Sequence, residues 1–263
     1  MRRTLMKKIF WLGLSLVITC LITACIRAPL NTINQVSTID ALLAGSYEGQ
    51  IPLEKLLTYG NFGIGTFDNL DGEMILLEGQ VFQVKADGKI YRPSLKVTTP
   101  FASVVQFKAD YSFPITKETD LKGLEKMIED SNPNKNLFYA LKIKGTFQTM
   151  KTRSVPVQKK PYPPLSAVAK TQPVFTFEAV SGTLVGFRSP VFVKGINVPG
   201  DHLHFISNDL QSGGHVLDFR LLKGTVEIDV CNQFFMILPE EGGSFSQVDL
   251  GRDRSKELEK VER

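Results

Sequence analysis

The stretch His202-Leu203-His204-Phe205-Ile206-Ser207-Asn208-Asp209-Leu210-Gln211-Ser212-Gly213-Gly214-His215 holds all three histidines of this 263-residue chain. On a strand the two histidines of an H-x-H pair project from one face, because the side-chain period is two. The segment from His202 to Ile206 is otherwise apolar, Asn208 and Asp209 favour a turn, and Val216 to Leu222 alternates again after His215. Paired as a hairpin, the two segments return His215 to the face that carries His202 and His204. Three neutral imidazoles on a rigid sheet suit zinc first, ahead of copper, iron, nickel or cobalt. Three protein ligands rather than four leave positions open for water or substrate, which is the catalytic pattern. The alternative is three unrelated hydrogen-bonding histidines on a β-hairpin.

The N-terminus carries an independent signal. Arg2, Arg3, Lys7 and Lys8 precede an apolar run from Ile9 to Leu21, the layout of an export signal. Ile22-Thr23-Ala24-Cys25 fits the bacterial lipobox, in which the cysteine is acylated and becomes the first residue of the mature chain. Cys20 follows Thr19 rather than a small Ala or Gly, so Cys25 is the lipidation candidate. The alternative, an uncleaved transmembrane anchor, meets an apolar run that is short for a bilayer. Residues 1–24 are therefore read as a lipoprotein signal peptide, and the mature protein as exported and membrane-anchored, on the periplasmic or cell-surface side. Its only link to the membrane would be the lipid at Cys25.

Removing that segment changes the charge. It holds four of the 31 Lys and Arg residues and none of the 27 Asp and Glu residues, which leaves 27 against 27. The basic balance belongs to the signal, and a nucleic-acid partner gains no support from it. With Cys20 removed and Cys25 acylated, Cys231 stands alone and no disulfide can form within one chain. Stability then has to come from packing, for which most of the 18 Phe and many Val, Leu and Ile suffice.

Along the mature chain the pattern is mostly strand. Ser37 can cap a helix through Asp40, Leu42 and Leu43 to Gly45, and Pro52 can start a short one that Gly60 stops. Glu73 to Leu77, Gln80 to Lys85 and Ile90 to Arg92 read as strands punctuated by Glu78-Gly79 and Asp87-Gly88. Val104 to Pro114 continues the alternation. Leu121, Leu124, Met127 and Ile128 repeat at helical spacing until Asn132-Pro133-Asn134, and a long strand runs from Leu137 to Thr152. The run Lys159-Lys160-Pro161-Tyr162-Pro163-Pro164 is too proline-rich for a sheet or helix interior and reads as the connection between two halves, with an ordered surface loop as the alternative to a flexible linker. Beyond it Val174 to Ala179, Thr183 to Phe187, Val191 to Val193, the histidine hairpin and Thr225 to Met236 form a second antiparallel set, closed by a polar helix from Asp253 to Glu262. This gives a tether over 25–34, an N-terminal sheet domain over 35–158 and a C-terminal metal-binding sheet domain over 159–263.

Over nearly its whole mature length the chain resembles the α-acetolactate decarboxylases. The resemblance is carried by Gln35-Val36-Ser37-Thr38-Ile39-Asp40-Ala41-Leu42-Leu43-Ala44-Gly45, Gly63-Ile64-Gly65-Thr66-Phe67, Leu70-Asp71-Gly72-Glu73-Met74, Arg153-Ser154-Val155-Pro156 and Lys160-Pro161-Tyr162-Pro163-Pro164. It continues in Gly182-Thr183-Leu184-Val185-Gly186-Phe187-Arg188, Pro199-Gly200-Asp201-His202-Leu203-His204-Phe205 and Gly214-His215-Val216-Leu217-Asp218. The resemblance implies a zinc lyase of acetoin biosynthesis and the butanediol pathway, converting 2-acetolactate to acetoin and carbon dioxide through a metal-stabilised enediolate. When carbon dioxide leaves, its electron pair enters the neighbouring ketone, so the substrate is its own electron sink and no organic cofactor is needed beside Zn2+. The resemblance further implies His202, His204 and His215 as metal ligands, Arg153 as the holder of the substrate carboxylate, Glu73 as acid/base and Thr66 as a hydroxyl near the substrate. It also implies a C-terminal glutamate, for which Glu257, Glu259 and Glu262 are available and the Val261-Glu262 ending selects Glu262.

Strand pattern and resemblance together imply an α/β fold of two sheet-containing halves, mostly antiparallel or mixed β-sheet with few helices, with zinc between them. The resembled proteins pair as homodimers through the N-terminal sheet. Two other readings stay open. A cupin-like metalloenzyme also displays H-x-H on a strand, but usually adds a glutamate where this chain has Asn208 and Asp209. An exported zinc-binding lipoprotein would deliver the metal rather than use it.

Overall fold

The alternating segments build two sheets whose apolar faces share a core, and the catalytic candidates lie where the sheets meet. The computed structural model describes residues 29–131 and 134–262, so the expected signal peptide and Cys25 lie outside the described residues. In chain order the first elements are β1 (Thr32–Val36), α1 (Ile39–Leu43), β2 (Ile51–Pro52), α2 (Leu53–Leu56), β3 (Phe62–Thr66), β4 (Glu73–Leu77), β5 (Gln80–Val84), β6 (Ile90–Tyr91), β7 (Thr98–Thr99) and β8 (Ala102–Val105). Then come β9 (Tyr111–Ile115), β10 (Thr119–Asp120), α3 (Leu121–Ser131), β11 (Phe138–Arg153), α4 (Leu165–Val168), β12 (Val174–Ser189), β13 (Gly200–Ser207), β14 (Gly213–Cys231), β15 (Gln233–Ile237) and α5 (Ser255–Glu262).

The first sheet runs in the order β15-β1-β8-β3-β4-β5-β6, antiparallel except for the parallel β1–β15 pair. The second runs β10-β14-β11-β12-β13 and is antiparallel throughout. The long β14 pairs with β13 as well as with β11, so the second sheet closes on itself. Mostly β-sheet with few helices is thus the observed class. Ile33, Phe62, Ile75 and Val84 of the first sheet pack with Phe138, Val185, Phe187 and Ile206 of the second in one buried cluster. A separate cluster joins Ile39 and Leu42 of α1 to Val155, to Leu165 and Val168 of α4, and to Leu258 and Val261 of α5.

The boundary expected at Lys159 is corrected by the strand pairing. Strands β9, β10 and β11 already belong to the second sheet, and the chain returns to the first in β15. The crossing lies inside the expected Val104–Pro114 strand. There the Phe107 N–H donates to Asn61 Oδ1 at 2.9 Å and the Lys108 N–H to Asp229 Oδ2 at 2.9 Å, so the chain leaves β8 and enters β9. The proline run is an ordered surface segment rather than a link between halves, since Tyr47 donates to the Pro163 carbonyl at 2.9 Å and packs edge-on against Tyr162.

Smaller corrections follow from local hydrogen bonding. Thr38, not Ser37, caps α1 by accepting from the Ala41 N–H, while Ser37 sits at φ 60°. Thr32–Asn34, expected within the tether, are strand. Val191–Val193 is a 3-10 turn, Val174–Ser189 is one strand rather than two, and Thr225–Met236 breaks at Asn232.

At the crossing, burial raises the Asp229 carboxyl from 3.8 to about 6, against the lowering effect of the Lys108 N–H. The unfolded chain ionises first across that window, so this group's stabilising contribution is full below pH 3.8 and is lost as pH rises through about 6. Asp229→Asn keeps an acceptor for Lys108 and should gain stability relative to the parent over the same window, read by chemical denaturation at a series of pH values. A difference that does not change with pH would exclude Asp229 as the titrating group.

Candidate metal centre

The centre is a consequence of register. Across β13 and β14 His204 pairs with His215, and across β14 and β11 His215 pairs with Arg153. Two histidines of one hairpin and an arginine from much earlier in the chain therefore stand side by side on adjacent strands. His202, two residues before His204, shares its face as the strand period requires. The imidazole centroids lie 5.0–5.4 Å apart, and one ring nitrogen from each histidine falls within 4.8 Å of the others.

Close strand approach makes this possible. At Gly186, on the strand beside β13, a Cβ would lie 2.0 Å from the His202 carbonyl oxygen, so only glycine lets β13 dock there. The Arg188 guanidinium fixes the start of β13 with a bidentate pair to Asp201 at 2.6 Å and 2.6 Å, and reaches the Glu125 carbonyl of α3 at 2.8 Å.

The first sheet supplies the opposite wall. The Met74 carbonyl of β4 lies 2.8 Å from His204 Nδ1. Burial holds His204 and His215 well below 6.5, and burial followed by the Arg153 charge lowers His202 to about 3. All three rings are therefore neutral, which makes Nδ1 of His204 the donor and leaves Nε2 as a buried lone pair without a hydrogen-bond partner. That is the protonation state metal coordination requires, and the orphaned nitrogen fits a metal ion. His202 and His215 complete the donor set.

Glu73 and Glu262 flank the histidines from different parts of the chain. Glu73 Oε2 is 3.6 Å from His204 Nε2, and Glu262 Oε2 is 3.7 Å from Nε2 of both His202 and His215. Between the carboxylates lies the buried Arg153 guanidinium, 3.5 Å from Glu73 Oε1 and 3.7 Å from Glu262 Oε1. Burial raises Glu73 to about 7, with Arg153 opposing and Glu262 adding to the rise, and burial likewise raises Glu262 against Arg153. Asp71, beside Glu73 in sequence, points elsewhere and holds Lys85 at 2.7 Å.

Thr66, His202, His204, His215, Glu73, Arg153 and Glu262 all line one inner cavity, whose other walls include Ile39, Leu42 and Phe101. Thr66 donates its hydroxyl proton to the Gly72 carbonyl at 2.7 Å, so toward the cavity it offers only an acceptor. Glu257, the alternative nearer the start of α5, pairs with Arg252 at 2.8 Å instead. Leu258 and Val261, buried among α1 and α4, seat the helix and present Glu262, so α5 is amphipathic rather than wholly solvated. The sequence reading missed two backbone acceptors, Met74 and Val261, and one side chain, Gln172. Backbone carbonyls leave no trace in residue identity.

Residues 33–252 match the family described as alpha-acetolactate decarboxylase. The alpha-acetolactate decarboxylase of Methanosarcina mazei is 50% identical over 233 residues, covering 89% of this chain and 81% of the relative. That of Bacillus subtilis strain 168 is 40% identical over 234 residues, covering 89% and 92%. The crystal structure of alpha-acetolactate decarboxylase from Bacillus subtilis strain 168 superposes with a TM-score of 0.85 over 88% of this chain and 99% of that one. A Staphylococcus aureus protein of unknown function, similar to alpha-acetolactate decarboxylase, gives 0.82 at 32% identity, covering 88% of this chain and 98% of that one.

His202→Ala, His204→Ala and His215→Ala should each lose, on dialysis, metal that the parent retains, as read by elemental analysis, because two imidazoles in place of three leave an incomplete donor set. Any of the three that retains a full equivalent is not a ligand.

Proposed function

This chain belongs to the alpha-acetolactate decarboxylase family, and from that premise we propose that its three-histidine centre holds Zn2+ and that Arg153, Glu73 and Glu262 carry the reaction around it. The activity is the decarboxylation of 2-acetolactate to acetoin and carbon dioxide, which sets aside the cupin-like and metal-delivery alternatives. The observation that supports the zinc reading is the orphaned Nε2 of His204, buried and neutral, facing two further neutral imidazoles. When bound there, zinc would supply Lewis-acid polarisation of the substrate's hydroxyl and ketone oxygens.

The protein's own groups account for the remaining steps. Arg153 offers a fork of N–H donors to the substrate carboxylate and fixes the bond that breaks. Carbon dioxide leaves, the bonding pair moves into the ketone, and an enediolate results, which must gain a proton on carbon to become acetoin. Glu73 is suited to deliver it, because its carboxyl stands at the edge of the centre, with Oε2 3.6 Å from His204 Nε2, and its burial favours the protonated acid. Its fixed place on β4 restricts delivery to one face, and hence to one acetoin enantiomer. Glu262, raised in the same direction on the other side of Arg153, is the second acid/base candidate. Thr66 accepts a hydrogen bond from the substrate hydroxyl.

The same proposal includes a homodimer through the first sheet and acylation at Cys25, which would place the enzyme at the periplasmic or cell-surface side of a membrane. The first described residue, Pro29, is four residues beyond Cys25, so a lipid there would hold the domain within about 14 Å of the bilayer surface. Among the described residues no helix is long and apolar enough to cross a membrane.

The test is to incubate signal-free protein with acetolactate and follow acetoin and carbon dioxide, with and without chelator and with zinc restored. Metal-independent acetoin formation, or none above the spontaneous rate, would defeat the mechanism. Arg153→Lys should keep its zinc yet lose roughly tenfold to a hundredfold in kcat/KM, because a point charge replaces a planar fork. Unchanged kinetics would move the carboxylate elsewhere. For the anchor, mass spectrometry of the N-terminal peptide from the native host should find an acylated Cys25, and Cys25→Ser should accumulate as precursor. An unmodified Cys25 would refute the lipid without touching the chemistry.

A further inference from the structure

The N–H groups of Arg153 are unequally committed. Nη1 donates to Gln172 Oε1 at 3.0 Å and Nη2 to the Val261 carbonyl at 3.0 Å, while the buried Nε has no partner. The nearby carboxylates stand at 3.5 Å and 3.7 Å and set charge rather than orientation. Among the described residues, Gln172 supplies the side-chain hydrogen bond to this guanidinium, at 3.0 Å against 3.5 Å for the nearer carboxylate.

Gln172 lies between α4 and β12, outside every segment that carries the family resemblance. Its loop is tied down at both ends. The Ser154 N–H donates to the Pro173 carbonyl at 3.3 Å, and Thr171 Oγ1 donates to the Val168 carbonyl at 3.1 Å. Because Arg153 and Val174 are cross-strand partners, the loop passes directly beside the guanidinium. The residue type matters too. Glutamine offers the same acceptor reach as glutamate without the charge. A carboxylate there would be the third around one guanidinium, after Glu73 and Glu262, and would compete with an anionic substrate. A neutral amide holds the fork and leaves its charge available.

We propose that Gln172 is a positioning residue for substrate binding: by taking up an Nη1 proton it fixes the plane of the Arg153 guanidinium and keeps the unpartnered Nε edge free for the substrate carboxylate. This rests on Arg153 as the carboxylate holder, and the experiment separates the two ideas. The zinc-loaded mature chain is assayed for acetolactate kcat and KM, and for competitive inhibition by acetoin, which lacks the carboxylate. Gln172→Ala is expected to raise the acetolactate KM about tenfold, the scale of one hydrogen bond to a charged group, with bound zinc, denaturation midpoint and acetoin inhibition unchanged. Gln172→Glu, which restores the hydrogen bond but adds charge, should also raise KM and keep acetoin inhibition at the parent's level. An unchanged KM in Gln172→Ala, or equal weakening of acetolactate and acetoin, overturns the proposal, because a merely structural role would weaken both. If Arg153→Lys itself leaves KM and kcat unaltered, the carboxylate assignment fails first and the role of Gln172 goes with it.

Discussion

The register that sets Arg153 across from His215, and His215 across from His204, is the constraint on which the centre depends. A one-residue slip on any of these strands would turn the affected side chain to the other face. The closed second sheet guards against such a slip, because β14 is paired on both sides at the histidine and cannot shift against one neighbour without breaking its ladder with the other. Gly186, with no room for a side chain against the His202 carbonyl, and the Arg188–Asp201 pair lock the remaining strand in step.

Charge in the centre is balanced among groups that water hardly reaches. One guanidinium sits between two carboxyl groups and beside three neutral imidazoles, and all are buried or nearly so. Removing a single partner would leave an uncompensated charge in a medium of low polarity, which costs far more than the loss of a surface ion pair. The same burial serves the chemistry. It keeps the imidazoles deprotonated for coordination, and it raises Glu73 to about 7, where a carboxyl can hold a proton. Structure and reactivity at this site thus share one cause, exclusion of water between two packed sheets.

How much of this was legible in the sequence depended on how far each signal reached. The H-x-H pair and its hairpin are local, and period-two alternation with a short turn was enough to bring three histidines together. Glu73 and Arg153 were not local. As isolated residues they were a turn carboxylate and a strand-end arginine, and only the unusual segments around them marked them out. The sheet boundary was misplaced because proline at 161, 163 and 164 is a strong local punctuator, whereas the true crossing near Lys108 is held by hydrogen bonds to Asn61 and Asp229, residues distant in the chain. The last helix is polar in composition, as its sequence reads, but its docking is not legible there for a related reason. Leu258 and Val261 are too few to give a conspicuous apolar stripe, yet they are enough to seat α5 against α1 and α4.

Among the described residues the architecture buries the one thiol it contains. Among the described residues the only cysteine is Cys231, fully buried at the end of β14, and burial pushes its thiol above the usual range. Such a sulfur behaves as a small apolar group and offers little thiolate to an oxidant. In the exported setting proposed here, a reactive thiol close to three imidazoles would compete for zinc and would be open to oxidation. This chain instead confines its metal-binding chemistry to nitrogen donors and its proton chemistry to carboxyls. Both are indifferent to the redox state of the compartment, so the export proposed above would make no demand on the chemistry of the centre.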